Sequence, residues 1–134
     1  MRYLTLAEAI VIAESVTGID ATTLARASRL DLLDSALHAP QAGFGDEDFY
    51  PDFATKAAVL VVRISRNHPL PDGNKRLAWM SLVMFCVLNG YRLALPADEA
   101  VEAMLAIAGG DWDEPRTEAW LRTRLVPAGP PGGR

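Results

Sequence analysis

Between Asn74 and Leu88 apolar side chains occupy nearly the whole circumference of a helix, among them Leu77, Trp79, Leu82, Phe85 and Leu88. A helix that is apolar on every side belongs in the interior of a domain. This segment therefore predicts a central helix around which the chain packs, with Asn89-Gly90 as its stop. Its apolar stretch, Leu77 to Leu88, is short of the roughly 20 residues that a bilayer span needs. Upstream, Ala57, Leu60, Val61 and Ile64 make the apolar stripe of another helix, from Phe53 to near Arg66, with Asp52 placed to cap it. Pro69 disfavours helical geometry at His68, so the chain leaves that helix near Asn67 and projects His68 from its end.

The other helices carry their own punctuation. Thr5-Leu6-Ala7-Glu8 is a capping box, opening a helix that runs to Thr17 and stops at Gly18. Ser28 and Asp31 start a second clear helix through Leu32, Leu33, Ala36 and Leu37, ended by Pro40. Asp98 opens a helix that stops at Gly109-Gly110, and Asp113-Glu114-Pro115 opens one ending near Leu125. Arg92 to Pro96 is short and extended, and no run alternates long enough to demand a sheet. Gln41 to Pro51, between the second and third clear helices, has no helical period and predicts an exposed loop or short hairpin. The expectation is an all-α, compact single domain of about six helices over residues 1–126. A Pro/Gly-rich tail, Pro127 to Arg134, is expected to be disordered.

Composition narrows the function. Half of the 134 residues are apolar, enough for a real core, and the net charge is −4. An acidic chain has no general attraction to nucleic acid or anionic membrane, so neither DNA binding by itself nor membrane association is expected. The single cysteine, Cys86, excludes a disulfide framework and a cysteine-rich zinc site, and suits a reducing cytosol. Met1-Arg2-Tyr3 leads straight into a helix bearing Glu8 and Glu14, which predicts no signal peptide and a cytoplasmic protein.

Within this acidic chain one loop concentrates chemistry: HPLPDGNKR, His68 to Arg76. A helix start offers unpaired N–H groups and the positive end of the helix dipole, a ready seat for an anion. Gly73 lets the backbone bend or approach a phosphate closely. Lys75 and Arg76 add charge-assisted donors. Asp72 is a hard oxygen ligand suited to Mg²⁺, or a cap for the following helix. His68 is the side chain nearby that takes a proton at neutral pH without large tuning, a candidate general base. Asn74 is either a phosphate contact or a plain cap, and Arg66 either a phosphate ligand or a solvated helix end. Arg63 reads as surface, and His38, with nothing chemical around it, as an ordinary histidine. Trp79 and Met80, at helical spacing with Val83 and Met84, read as core before nucleotide platform, and Trp112 and Trp120 as structural.

HPLPDGNKR resembles the signature of the Fic/Doc superfamily, and the chain is similar to its death-on-curing branch, the toxins of toxin–antitoxin pairs. RLDLLDSALHAPQ (Arg29–Gln41), FYP (Phe49–Pro51) and MFCVLNGY (Met84–Tyr91) extend the likeness, so that it covers most of residues 4–125. Leu70 stands where the family usually has Phe; either serves as an apolar anchor. The adenylylating members have Gly at the position of Lys75 and a second Arg at that of Trp79. Both departures disfavour AMP transfer. The resemblance thus implies a protein kinase using ATP and Mg²⁺, with His68, Asp72 and Arg76 catalytic. It implies nucleotide contacts from Arg66, Gly73, Asn74, Lys75 and Arg76, and metal binding by Asp72. The implied substrate is a hydroxyl of a cytosolic protein, by analogy a translation elongation factor. Family flaps in the region of Gln41–Pro51 dock the target, although an ordinary surface connection fits that stretch equally. No Glu in this chain is followed by Gly or Asn, so the family's internal inhibitory motif is lacking. Restraint would come from a separate, Phd-like antitoxin laying a helix into an apolar groove. An adenylyltransferase and a catalytically silent nucleotide- or partner-binding module are the alternatives.

Overall fold

The structure is a computed structural model and describes residues 1–129. Helix α1 (Leu6–Thr17) opens on the expected capping box: Glu8 N–H donates to Thr5 Oγ1 at 3.1 Å, and Thr5 N–H donates to Glu8 Oε1 at 2.9 Å. The Arg2 guanidinium and the Thr5 N–H hold the Glu8 carboxyl down at about 2. Gly18 closes the helix at φ 74. The next helix, α2 (Ala21–Ala27), was not expected. It is short and lacks an apolar stripe, and it forms because the Asp20 side chain accepts from Thr23 N–H at 2.9 Å while Leu24 is buried.

Helix α3 (Leu30–His38) runs through a 3₁₀ turn, Ala39–Gln41, into an antiparallel hairpin, β1 (Gly43–Phe44) and β2 (Glu47–Asp48). Gln41–Pro51 is therefore a short hairpin, of the two forms expected. Helices α4 (Phe53–Asn67) and α5 (Asn74–Leu88) follow, then β3 (Tyr91–Leu93), α6 (Ala97–Ala108), α7 (Glu114–Arg124) and β4 (Leu125–Pro127). The architecture is all-α, with seven helices among the described residues and strands confined to two two-stranded ribbons.

The second ribbon revises the end of the domain. Tyr91 pairs with Pro127 in the β3–β4 register, and Ala128 N–H donates to Gly90 O at 2.9 Å. The expected tail thus contributes Pro127 to a strand, at the end of an edge where a missing N–H is tolerated. Residues 130–134 of that tail lie outside the described residues.

The centre of the domain is α4 more than α5. From Phe53 to Ser65 all but Thr55 and Arg63 are buried, and α4 packs against α3, α5 and α7. Ala57 and Ala58 keep its girth small, so neighbours approach closely from several directions. Phe53 seals one end in an aromatic stack, 4.5 Å from the Tyr91 ring and 4.9 Å from Phe85. Asp52 occupies the N-cap position but makes no capping bond; its carboxylate instead accepts from Arg122 Nη2 at 3.1 Å. Helix α5 buries Leu77, Ala78, Leu82, Phe85 and Cys86 on one side only. Its opposite side faces an open groove, which is why it is apolar all round without being enclosed. Trp112 and Trp120 are structural, as expected: their centroids lie 5.5 Å apart, and Trp120 Nε1 donates to Glu99 Oε2 at 3.1 Å. Arg63 is only partly exposed and pairs with Glu114 at 2.6 Å. No helix among the described residues is long and apolar enough to cross a membrane.

One charge lies inside this core. Lys56 is 2% exposed, and its Nζ donates to Pro40 O at 3.1 Å and to Asp48 Oδ2 at 3.3 Å, while lying 5.4 Å from the Tyr3 ring centroid. It ties the β1–β2 hairpin to the domain from below. Lys56→Ala leaves a cavity and unpartnered acceptors, and should cost about 2–4 kcal/mol in a urea melt. Lys56→Met fills the space and should cost no more than about half of that. Equal losses for the two would show that filling the space contributes nothing. Cys86, 1% exposed, has its thiol pushed up by burial to about 12. It should resist alkylation in the native protein and react fully in denaturant; rapid native labelling would contradict the packing of α5.

Candidate active site

The linker between α4 and α5 is held at its middle by a buried side chain. Leu70 is 5% exposed and belongs to the main core, so it anchors the loop as expected. Asn74, the first residue of α5, folds its amide back over that anchor. Leu70 N–H donates to Asn74 Oδ1 at 2.8 Å, and Asn74 Nδ2 donates to Leu70 O at 2.9 Å. Both ends of the Asn74 amide are thereby used, so this side chain shapes the loop and only its backbone N–H faces outward chemistry. It is no cap in the usual sense.

The start of α5 is electrostatically unsatisfied. Its N-cap is Gly73 at φ 88, with no side-chain capping bond, and its first turn contains no acid. Leu77 N–H returns to Gly73 O at 2.9 Å, whereas the N–H groups of Asn74, Lys75 and Arg76 have no acceptor among the described residues. Lys75 and Arg76 add two exposed cations to the positive end of the dipole, and neither has an ion-pair partner among the described residues. Like charge gathered against a positive helix end is destabilising, and an anion is what relieves it. Asp72 is exposed beside this turn and does not cap it, which leaves its carboxylate for a cation or a ligand.

His68 ends α4 in the left-handed conformation, φ 46 and ψ 57, and is the one non-glycine residue with positive φ among those described. Its side chain is exposed. The loop thus brings His68, Asp72 and the α5 start onto one short, braced bend. Arg66, exposed two residues before His68, donates from Nη2 to Trp112 O at 2.7 Å, which ties the last turn of α4 to the α6–α7 connection. His38 is exposed, with Nδ1 2.9 Å from Asp34 O, and has no part in the bend.

A groove of about 850 Å³ runs from Lys75 and Arg76 between α5 and α6. Trp79, Met80, Val83 and Val87 form its α5 wall, and Val101 and Leu105 its α6 wall. Trp79 packs partly on the core, but Met80 is half-exposed in the groove, so the reading of both as core is half right. The groove was hidden in the sequence, because a helix face lining an open apolar channel has the same pattern as a buried one. Among the described residues no three His, Cys, Asp or Glu side chains converge to hold a metal. A hard cation here would rest on Asp72 together with the oxygens of a bound phosphate, a donor set that fits Mg²⁺.

A family model described as the Fic/DOC family matches residues 3–86, more than half of the chain and the whole of this bend. Toxin Doc of Mycolicibacterium smegmatis (strain ATCC 700084 / mc(2)155) is 43% identical over 84 residues. That stretch covers 61% of this chain and 65% of the relative, just under two thirds of its length.

A Cβ at Gly73 would lie 3.0 Å from Thr17 Cγ2 and would adopt a conformation costing an L-residue roughly 1–2 kcal/mol. Gly18, at φ 74, has open space around it. Gly73→Ala should therefore destabilise more than Gly18→Ala in urea melts, and adding Thr17→Ser should recover the difference. Identical losses at the two glycines would mean that α1 does not press on the bend.

Proposed function

Because the chain belongs to the Fic/DOC family, we propose that it is a toxin of the death-on-curing type acting as a protein kinase on ATP. The observation that carries this reading is the α5 start, where three free N–H groups and two unpaired cations meet an exposed histidine across one bend. The N–H groups of Asn74, Lys75 and Arg76 bind the outer phosphates, and the Lys75 and Arg76 side chains neutralise them. Mg²⁺, held by Asp72 with the phosphates, supplies further charge neutralisation when bound. The His68 imidazole takes the proton of a protein hydroxyl as its oxygen forms a bond to the γ-phosphorus. The bond from that phosphorus to the β–γ bridging oxygen breaks, and ADP leaves. Lys75 supports phosphate over AMP transfer, since its chain occupies the space in which the adenylylating motif has a glycine. Trp79 supports it too, by standing where a second phosphate-binding arginine would be.

Toxin Doc is by its name a toxin, and the likeness to the toxins of toxin–antitoxin pairs supports an antitoxin for this chain. The groove supports a helical, Phd-like partner: its walls are apolar, and Lys75, Arg76 and Arg92 edge it. An amphipathic helix with acidic residues beside its apolar face would fill it and cover the cations. The target is a cytosolic protein, by family analogy a translation elongation factor.

Incubating the chain with a bacterial lysate and γ-labelled ATP should label a protein band. His68→Ala should reduce that label by at least about 10²-fold with an unchanged circular dichroism spectrum. Transfer of α-label in place of γ-label would replace the kinase by an adenylyltransferase. Nucleotide binding without either transfer would leave a silent binding module.

A further inference from the structure

The residue that carries the imidazole is held from outside its own helix. Asn67, the last residue of α4, donates from Nδ2 to Leu32 O of α3 at 3.0 Å. On the other side of His68, Arg29 N–H at the start of α3 donates to Pro69 O at 2.8 Å. One helix end therefore grips the chain both before and after His68. Between these grips His68 adopts the left-handed conformation, which side-chain-bearing residues visit rarely and keep only when their surroundings impose it. Helices often end on a left-handed residue, but His68 makes no backbone capping bond, and Pro69 has no N–H to supply one and favours extended geometry in the residue before it.

We propose that Asn67 is a positioning residue: locked onto the Leu32 carbonyl, its amide keeps His68 left-handed and so sets where the imidazole stands relative to the α5 start. Asn67 is half-buried and needs no contact with substrate. The proposal rests on the reading of His68 as the base, but the geometry it asserts can be measured without any activity. A simple inter-helix staple would account for the same hydrogen bond. The two differ in what happens to the ring.

The chain has two histidines, so each ring is resolvable by NMR, with His68→Ala assigning the pair and His38 serving as an internal reference. Asn67→Asp keeps the shape and removes the donor; Asn67→Ala removes both. Asn89→Ala is the control, since its Nδ2 likewise bonds backbone carbonyls, those of Arg2 and Phe85, at the far end of α5. Both Asn67 variants should move or broaden the His68 Cε1–H resonance and leave His38 unchanged, while Asn89→Ala moves neither. In the label-transfer assay they should lower kcat by about 10–100-fold with KM for ATP nearly unchanged. A His68 resonance identical to wild type in folded Asn67→Asp would overturn the proposal, whatever the stability loss. Should the wild-type chain transfer no label, the kinase reading fails while the NMR comparison still decides the role of Asn67. Should Asn67→Ala not fold, Asn67→Asp and the shorter donor of Asn67→Ser supply the same readout.

Discussion

The reciprocal pair of hydrogen bonds between the Asn74 amide and the Leu70 backbone is the joint on which the site depends. Two long helices meeting through a loop with two prolines and a glycine would otherwise be free to splay. Leu70 sinks into the core and the Asn74 amide closes over it, so the loop polypeptide is fixed to the helix that follows. Once that joint is made, the first N–H groups of α5 must face outward without a cap, with Lys75 and Arg76 among them. An anion affinity of the bend would thus be a by-product of how the loop is tied. Its unfavourable electrostatics in the free protein are the other side of that affinity.

The same helix serves two solvents. One face of α5 packs on α4, which is the truly enclosed helix, and the other lines the groove that begins at Lys75 and Arg76. A ligand on the cations and a partner in the groove would therefore compete for one helix end. On the proposed function, that arrangement would let another chain restrain the site from the groove. The β1–β2 hairpin is tied down by the buried Lys56, with Phe44 and Phe49 exposed on and beside it.

Much of this was legible in the residues. Helix ends marked by local chemistry, such as Thr5 with Glu8, Gly18 and Asp113, fall where the caps predict, because a cap is read from two or three neighbouring side chains. The motif loop was legible for the same reason. Long-range choices were not. Asp52 looks like a cap until Arg122, brought alongside by α7, offers its carboxylate a better partner. Arg66 reads as a phosphate ligand or a solvated helix end, and its bond to the Trp112 carbonyl has no signal in the neighbouring residues. Helix α2 carries no apolar period to announce it, and Pro127 joins a strand only because Tyr91 is there to receive it. Burial of α4 over α5 depended on which apolar face found a neighbour, and periodicity is silent on that.

On this reading the uncapped start of α5 is a phosphate seat beside an imidazole. A crystal structure of the chain with Mg²⁺ and a non-hydrolysable ATP analogue tests it most directly. Terminal phosphate oxygens should lie on the N–H groups of Asn74 to Arg76, with the His68 ring facing the γ-phosphate and Asp72 on the metal. Nucleotide bound elsewhere, with that turn left to water, would contradict it.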